Sequence, residues 1–403
     1  MTWEYKTAED YCESVRDGTH DTPKQTETGY KLVTGKHIKN GQIDATDAYY
    51  ISEKDYLKIN ERSLVEQWDV LMSMIGTVGE VAVVNEHPDY AIKNIALFKC
   101  GGSQLKGKWL SYYLRSAEAQ GQMVGNQKGS SQQFLSLKQL RALPVPITDE
   151  YHMQRIVDIL SAYDDLIENN QKKIKLLEEA AQRLYKEWFV DLRFPGHETT
   201  PIIDGIPQGW RECSIADLCK KINAGGTPSR KNANYWNNGN IKWFKTQELQ
   251  DCWLIDSDEK ISDTGQKNSS AKFFPTNTIL MAIYASPTLG RLGILDSEAT
   301  CNQAALCLLV DESQISWQWL YQKLYELREH YNGIARGAGQ QNISGEVVKQ
   351  TIVLCPSKQL MDSFTQSVSP LFERRRLLQK QNLCLTEARD RLLPKLMGGE
   401  LEV

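Results

Sequence analysis

The sequence predicts an α+β chain: two similar globular α/β domains separated by two long helices that form an antiparallel coiled coil, arranged as a pseudo-twofold internal repeat. Three observations carry this expectation. The chain is written roughly twice, each copy opens with apolar and β-branched runs broken by glycine and polar turns, and each copy closes in a stretch whose apolar residues recur every seven positions.

At 403 residues the chain exceeds one ordinary core and is expected to divide into two or three domains. Its 41% hydrophobic and 24% charged residues match folded, water-soluble proteins, which sets aside disorder and membrane classes. No apolar run approaches the roughly 18–20 residues of a membrane span. The opening MTWEYKTAEDYCES lacks a basic region followed by an apolar stretch, so a cytoplasmic location is expected and no membrane partner. The nine cysteines include no C-x-x-C pair. Zinc ribbons and redox motifs need that spacing so that two thiolates reach one metal or each other, and reduced, mostly buried thiols are expected instead. A net charge of −4 lacks the basic excess that displaces counterions from nucleic acid. Any DNA contact must therefore come from local basic surfaces or be shared with a partner.

The repeat keeps its register over a long distance. Asp17-Gly18-Thr19 corresponds to Gly225-Gly226-Thr227, and the stretch from Gly129 to Ser136 corresponds to that from Gly337 to Ser344 at the same offset of 208 (225 − 17). Between them Thr77 to Val84 aligns with Thr288 to Leu295, Asn94 with Asn302, and Trp109-Leu110 with Trp319-Leu320, small loop insertions accounting for the drift. Two copies of this size are pseudo-equivalent domains rather than a solenoid of short units.

In chain order, residues 1–147 form the first domain, a mixed sheet with a few helices, as VLMSMIGTVGEVAVV suggests. Residues 148–192 form one long helix, since TDEYHMQRIVDILSAYDDLIENNQKKIKLLEEAAQRLYKEWFVDL contains neither glycine nor proline. Ile156, Tyr163, Asn170, Leu177 and Leu184 make one row of its seam; Leu160, Ile167, Ile174, Ala181 and Trp188 make the other. The Pro/Gly-rich stretch 193–206 is a linker, 207–355 the second domain, 356–397 the second long helix and 398–403 a tail. In the second helix Phe364, Leu371, Leu378, Leu385 and Leu392 are spaced by seven, beside Met361, Val368, Arg375, Asn382, Arg389 and Leu396, with Pro370 and Pro394 making it less regular. Roughly forty residues of helix span about 60 Å. An asparagine stands near the middle of each seam, Asn170 and Asn382. A buried asparagine fixes register because one alignment alone lets two amides pair, and the two helices are expected to pair within one chain, pairing with another molecule being the alternative.

Common catalytic signatures are missing. There is no G-x-x-x-x-G-K-[ST] loop, no glycine-rich turn for a dinucleotide or S-adenosylmethionine, no Asn-Pro-Pro-aromatic tetrapeptide and no G-x-S-x-G elbow; the six histidines are isolated. No enzyme activity and no bound cofactor or metal are expected of this chain.

Recognition chemistry gathers in polar, glycine-flanked loops at matching places. Thr19, His20 and Lys24 in the first copy, and Thr227, Ser229, Arg230 and Lys231 in the second, suit phosphate contacts; a plain tight turn is the alternative. Lys128, Gln132 and Gln133, matched by Arg336, Gln340 and Gln341, have the chemistry to read guanine and adenine edges, or to build a structural loop. Lys36 and Lys39 in the first copy, and Lys245 and Thr246 in the second, extend a basic edge, and Arg291 stands where the first copy has Glu80.

These residues resemble a known family, the specificity subunits of type I restriction-modification systems. The resemblance rests on GGTPSR followed by YW, on IPQGW opening the second half, on LPVPI leading into a long helix, and on two variable halves each ending in a helix. It implies two target-recognition domains that each bind half of a bipartite, asymmetric site in double-stranded DNA, with the helices as a ruler; a spacing near one turn of about 34 Å would place both on one DNA face. It also implies two methyltransferase subunits and restriction subunits as partners, which would carry the S-adenosylmethionine, ATP and Mg. Other readings of the residues are a recognition chain of a related restriction-modification enzyme outside type I, and a coiled-coil adaptor binding protein alone.

Overall fold

Apolar runs become strands where both faces of a sheet are covered. Val70–Ser73 and Ile95–Lys99 in the first half, and Ile279–Ala282 and Leu292–Leu295 in the second, are buried at every residue. The structure, a computed structural model, describes residues 3–39, 41–76, 78–125, 135–284, 288–337 and 342–403, with the backbone alone at 124, 125, 336 and 337. The chain forms two units: Met1–Ile167 with Cys384–Val403, and Glu168–Leu383.

The first unit contains a four-stranded antiparallel sheet in the order Ser14–Asp17, Ile95–Lys99, Val70–Ser73, Val81–Val83. A three-stranded sheet has Tyr30–Thr34 at its centre, antiparallel to Tyr50–Ile51 and parallel to Tyr90–Lys93. Glu4–Thr7 pairs with Pro144–Ile147, and Trp109, wholly buried on the helix Gln104–Arg115, donates from Nε1 to the Pro146 carbonyl at 2.7 Å.

The second unit repeats this plan. Its larger sheet runs Cys219–Ala224, Ala305–Val310, Ile279–Ala282, Leu292–Leu295, with a fifth strand, Cys252–Leu254, added at the edge. Its smaller sheet centres on Ile241–Phe244, antiparallel to Glu259–Ile261 and parallel to Thr300–Cys301. Arg211–Ser214 pairs with Ile352–Cys355. The repeat reaches local detail. After the central strand of each small sheet one 3-10 turn forms, closed by Thr34 N donating to His37 Nδ1 in one unit and Lys245 N donating to Glu248 Oε1 in the other, both at 2.8 Å. Ser136 and Ser344, matched in the sequence, each cap a short helix.

The helix Glu150–Tyr185 gives its residues up to Ile167 to the first unit and the rest to the second, and the helix Lys358–Met397 is divided likewise at Leu383. In the first unit Ile156, Val157 and Leu160 share a core with Leu393, Leu396 and Met397, and Arg389 Nη1 donates to Asp164 Oδ1 at 2.6 Å. In the second, Ala181 and Tyr185 share a core with Met361, Phe364, Val368 and Phe372. There Asn170 Nδ2 donates to Asn382 Oδ1 at 2.9 Å and to Gln381 Oε1 at 3.2 Å, Arg375 lies 3.6 Å from Glu178, and Tyr185 meets Phe364, so the two segments run antiparallel. Every heptad position named above is buried or half-buried: Tyr163, Ile167, Ile174, Leu177, Leu184, Leu371, Leu378, Leu385 and Leu392 lie with the rest along the buried stripe.

Pro370 and Pro394 do not interrupt the second helix, contrary to the irregularity expected of it. Pro370 and Gln366, whose carbonyl a residue-370 N–H would have met, are both exposed, so the missing bond falls on the open face of the helix and not in the core. Leu160→Ala, which empties a wholly buried site, is expected to destabilise the first unit by about 2–5 kcal/mol. Urea denaturation measures this, and unchanged stability contradicts the packing.

Candidate nucleic-acid interface

The glycine-threonine loops follow strands that cross close beside the small sheets, and that crossing explains their glycines. A Cβ on Gly18 would stand 2.3 Å from the Ile92 carbonyl oxygen; one on Gly225 would stand 2.3 Å from that of Cys301 and 2.4 Å from that of Asn302. Backbone bonds hold the approach: Gly18 N to Ile95 O at 2.9 Å and Thr19 N to Ile92 O at 3.0 Å, matched by Gly225 N to Ala305 O at 3.1 Å and Gly226 N to Cys301 O at 2.8 Å. The glycines are packing residues, and they carry the polar side chains that follow them onto the surface.

In the first unit Thr19 is half-buried, its Oγ1 accepting from Asp21 N at 3.1 Å. His20 is exposed and held between Asp17 Oδ2 and Asn94 Oδ1, each at 2.9 Å. The exposed Arg62 guanidinium also pairs with Asp17, whose side chain is 6% exposed. Lys24 and Lys39 are exposed, and Lys36 reaches Asp47 at 2.9 Å. His37 is buried, and burial pushes its pKa down.

In the second unit Thr227 Oγ1 donates to Gln303 Oε1, and the Ser229 carbonyl accepts from Trp236 Nε1 at 3.2 Å. The Arg230 guanidinium lies over Trp236, 3.6 Å from the ring centroid, and 5.1 Å from that of Trp243. It pairs with Glu259, which also takes Lys245 Nζ at 3.1 Å, while Asp258 stands 3.5 Å from Lys245. Arg230 beside Glu259 holds that carboxyl below the usual carboxylate range, and Glu259 raises the Lys245 ammonium. Lys231 is exposed; Thr246 opens the 3-10 turn; Arg291 is half-buried, with its backbone N–H on the Thr288 carbonyl at 2.9 Å.

The structure thus brings Arg230 and Lys245 together, and leaves Lys36, Lys39 and Lys24 as separate surface charges. Lys128, Gln132, Gln133, Gln340 and Gln341 lie outside the described residues, as does the side chain of Arg336. Arg62 from a helix, Glu259 from a strand and Gln303 from a turn join these sites from far along the chain, with no spacing in the sequence to reveal them. Among the described residues no group of three or more His, Cys, Asp or Glu could hold a metal ion, and no helix is long and apolar enough to cross a membrane.

The sequence matches the type I restriction modification DNA specificity domain twice, over residues 1–179 and 207–362. It is 28% identical over 306 residues to the type I restriction enzyme MjaIX specificity subunit of Methanocaldococcus jannaschii, covering 74% of this chain and 68% of that protein. It is 22% identical over 342 residues to the HindI specificity subunit of Haemophilus influenzae, covering 69% of this chain and 73% of that one. Its fold is similar to the crystal structure of a type I restriction-modification S subunit from M. genitalium, with a TM-score of 0.57 at 15% identity over 98% of this chain and 96% of the other.

Gly225→Ala is expected to lower stability by roughly 1–3 kcal/mol, because the methyl group meets backbone oxygens that cannot yield. Thermal unfolding followed by tryptophan fluorescence checks this, and a wild-type Tm contradicts it.

Proposed function

This chain belongs to the family of type I restriction-modification DNA specificity domains, and from that premise we propose that it reads a bipartite, asymmetric site in double-stranded DNA, one half-site per recognition domain. The observation that carries the reading is that one strand plan is used twice with different chemistry on its loops. Where the first unit offers His20 and Arg62 on Asp17, the second offers Arg230 on Trp236 with Lys245. A shared scaffold with unlike side chains suits two unlike half-sites, because scaffold-held loops position a domain on phosphates while the side chains choose among bases.

The chain acts without catalysis of its own. Two methyltransferase subunits supply S-adenosylmethionine chemistry, restriction subunits supply ATP- and Mg-dependent cleavage, and the long helices dock partners and set the gap between half-sites. Lys128, Gln132 and Gln133 read one half; Arg336, Gln340 and Gln341 read the other; and Thr19, Lys24, Lys36, Lys39, Thr227, Ser229, Lys231, Thr246 and Arg291 contact the DNA backbone.

Co-expression with the methyltransferase subunit encoded beside it, followed by genome-wide mapping of methylated bases, is expected to give one split motif with a fixed gap. An active partner that adds no new methylation contradicts the proposal. Arg336→Ala with Gln340→Ala is expected to relax one half of that motif and leave the other intact; equal loss in both halves opposes the division of labour.

A further inference from the structure

Within the second unit one carboxylate holds two cations that DNA would need. Glu259 begins the strand Glu259–Ile261, at the edge of the small sheet, with its side chain 31% exposed. One oxygen meets Arg230 and the other lies 3.1 Å from Lys245 Nζ, an arrangement in which two oxygens of one anion bridge a guanidinium and an ammonium, as a phosphodiester's two free oxygens do. Each cation also has a contact besides Glu259, Arg230 with Trp236 and Lys245 with Asp258. The Arg230 guanidinium carbon lies 3.6 Å from the centroid of the Trp236 ring, and Trp236 is itself held by its Nε1 bond to the Ser229 carbonyl at 3.2 Å. Lys245 is held at its backbone by Glu248, whose second oxygen accepts from Asp258 N at 3.0 Å and is therefore committed to the turn.

The first unit shows the contrast. Asp17 also joins two basic groups, Arg62 and His20, but its side chain is 6% exposed and both basic groups are 62% exposed, so there the carboxylate is a buried anchor that keeps cations on display. In the second unit Arg230 is 52%, Glu259 31% and Lys245 25% exposed, so the carboxylate and both cations lie at the surface together. Partly exposed ion pairs of this kind stabilise a fold by about 0–1 kcal/mol, so stability does not account for gathering two cations on one carboxylate, with Asp258 3.5 Å from Lys245 as a second acid.

We propose that Glu259 gates a phosphate site: it occupies Arg230 and Lys245 in the free chain, and a DNA phosphodiester takes their donors when the second recognition domain engages its half-site. The inference rests on the DNA-reading function proposed above. Releasing Glu259 costs the same free energy on any duplex, so the gate lowers affinity for all DNA and leaves bound only those sites whose base contacts more than offset that cost.

The test uses the chain assembled with its methyltransferase partner and two labelled duplexes, one carrying the mapped motif and one scrambled, in fluorescence anisotropy titrations across a range of NaCl concentrations. Glu259→Gln keeps the size of the side chain and removes its charge. It is expected to tighten binding to the scrambled duplex by roughly 3- to 10-fold and to steepen its salt dependence by about one to two counterions. The motif duplex is expected to gain by at least as large a factor, since the same penalty is removed there, and adding Arg230→Gln is expected to abolish both gains. Glu259→Ala serves as a second variant with the same expectation. Unchanged or weaker binding of the scrambled duplex by both variants, beside a wild type that prefers the motif, overturns the gate alone. A wild-type complex that does not prefer the motif overturns the function on which the gate rests.

Discussion

In the second unit the amide of Asn170 donates to Asn382 from a helix more than two hundred residues earlier in the chain, and around that bond the two helical segments close a core that neither could close alone. Ala181 and Tyr185 come from one helix, Met361, Phe364, Val368 and Phe372 from the other, and the sheet strands beneath them bury Ile279, Met281 and Leu308 against both. The first unit is built under the same constraint, with Met153, Ile156 and Leu160 from one helix and Leu393, Leu396 and Met397 from the other. Each recognition domain therefore borrows its lid from two distant stretches of sequence, and the loop-closure entropy this costs must be offset by burial. Arg375 marks how specific the closure is. It is 1% exposed, donates to the Asp251 carbonyl at 2.7 Å and faces Glu178 at 3.6 Å. Burial pulls its pKa down, but Tyr321 and Glu178 more than compensate. A shift of register would strand that cation, a penalty of several kcal/mol that an apolar seam would not impose.

Much of this frame was legible in the sequence because helices of this length carry many repeats of one period. Ile156 through Leu184, and Leu371 through Leu392, recur every seven residues and fall on the buried stripe, and the two asparagines stand out as polar residues in apolar rows. The duplication was equally legible, down to Ser136 and Ser344 as helix caps. Pro370 misled, since a proline's effect depends on which face of the helix loses its partner, and that is set by tertiary burial.

The candidate interface was legible in part. Residue type singled out Arg230 and Lys245, but their meeting at Glu259 depends on strands of one small sheet folding together, and no local period encodes it. The glycine loops drew attention as possible phosphate cradles; their glycines answer first to a crossing strand, Gly18 against Ile92 and Gly225 against Cys301. Several surface cations face carboxylates of the same unit: Lys36 on Asp47, Arg62 on Asp17, Arg230 on Glu259.

The measurement that goes most directly to the shared-lid construction is hydrogen exchange on the full chain beside a chain ending at Leu383, which lacks the segment that completes the first core. The account predicts that amides of Val70–Ser73 and Ile95–Lys99 lose protection in the shortened chain, while those of Ile279–Ala282 and Ala305–Val310 keep theirs. Full protection of the first pair without residues 384–403 would contradict it, since the first domain would then close on its own.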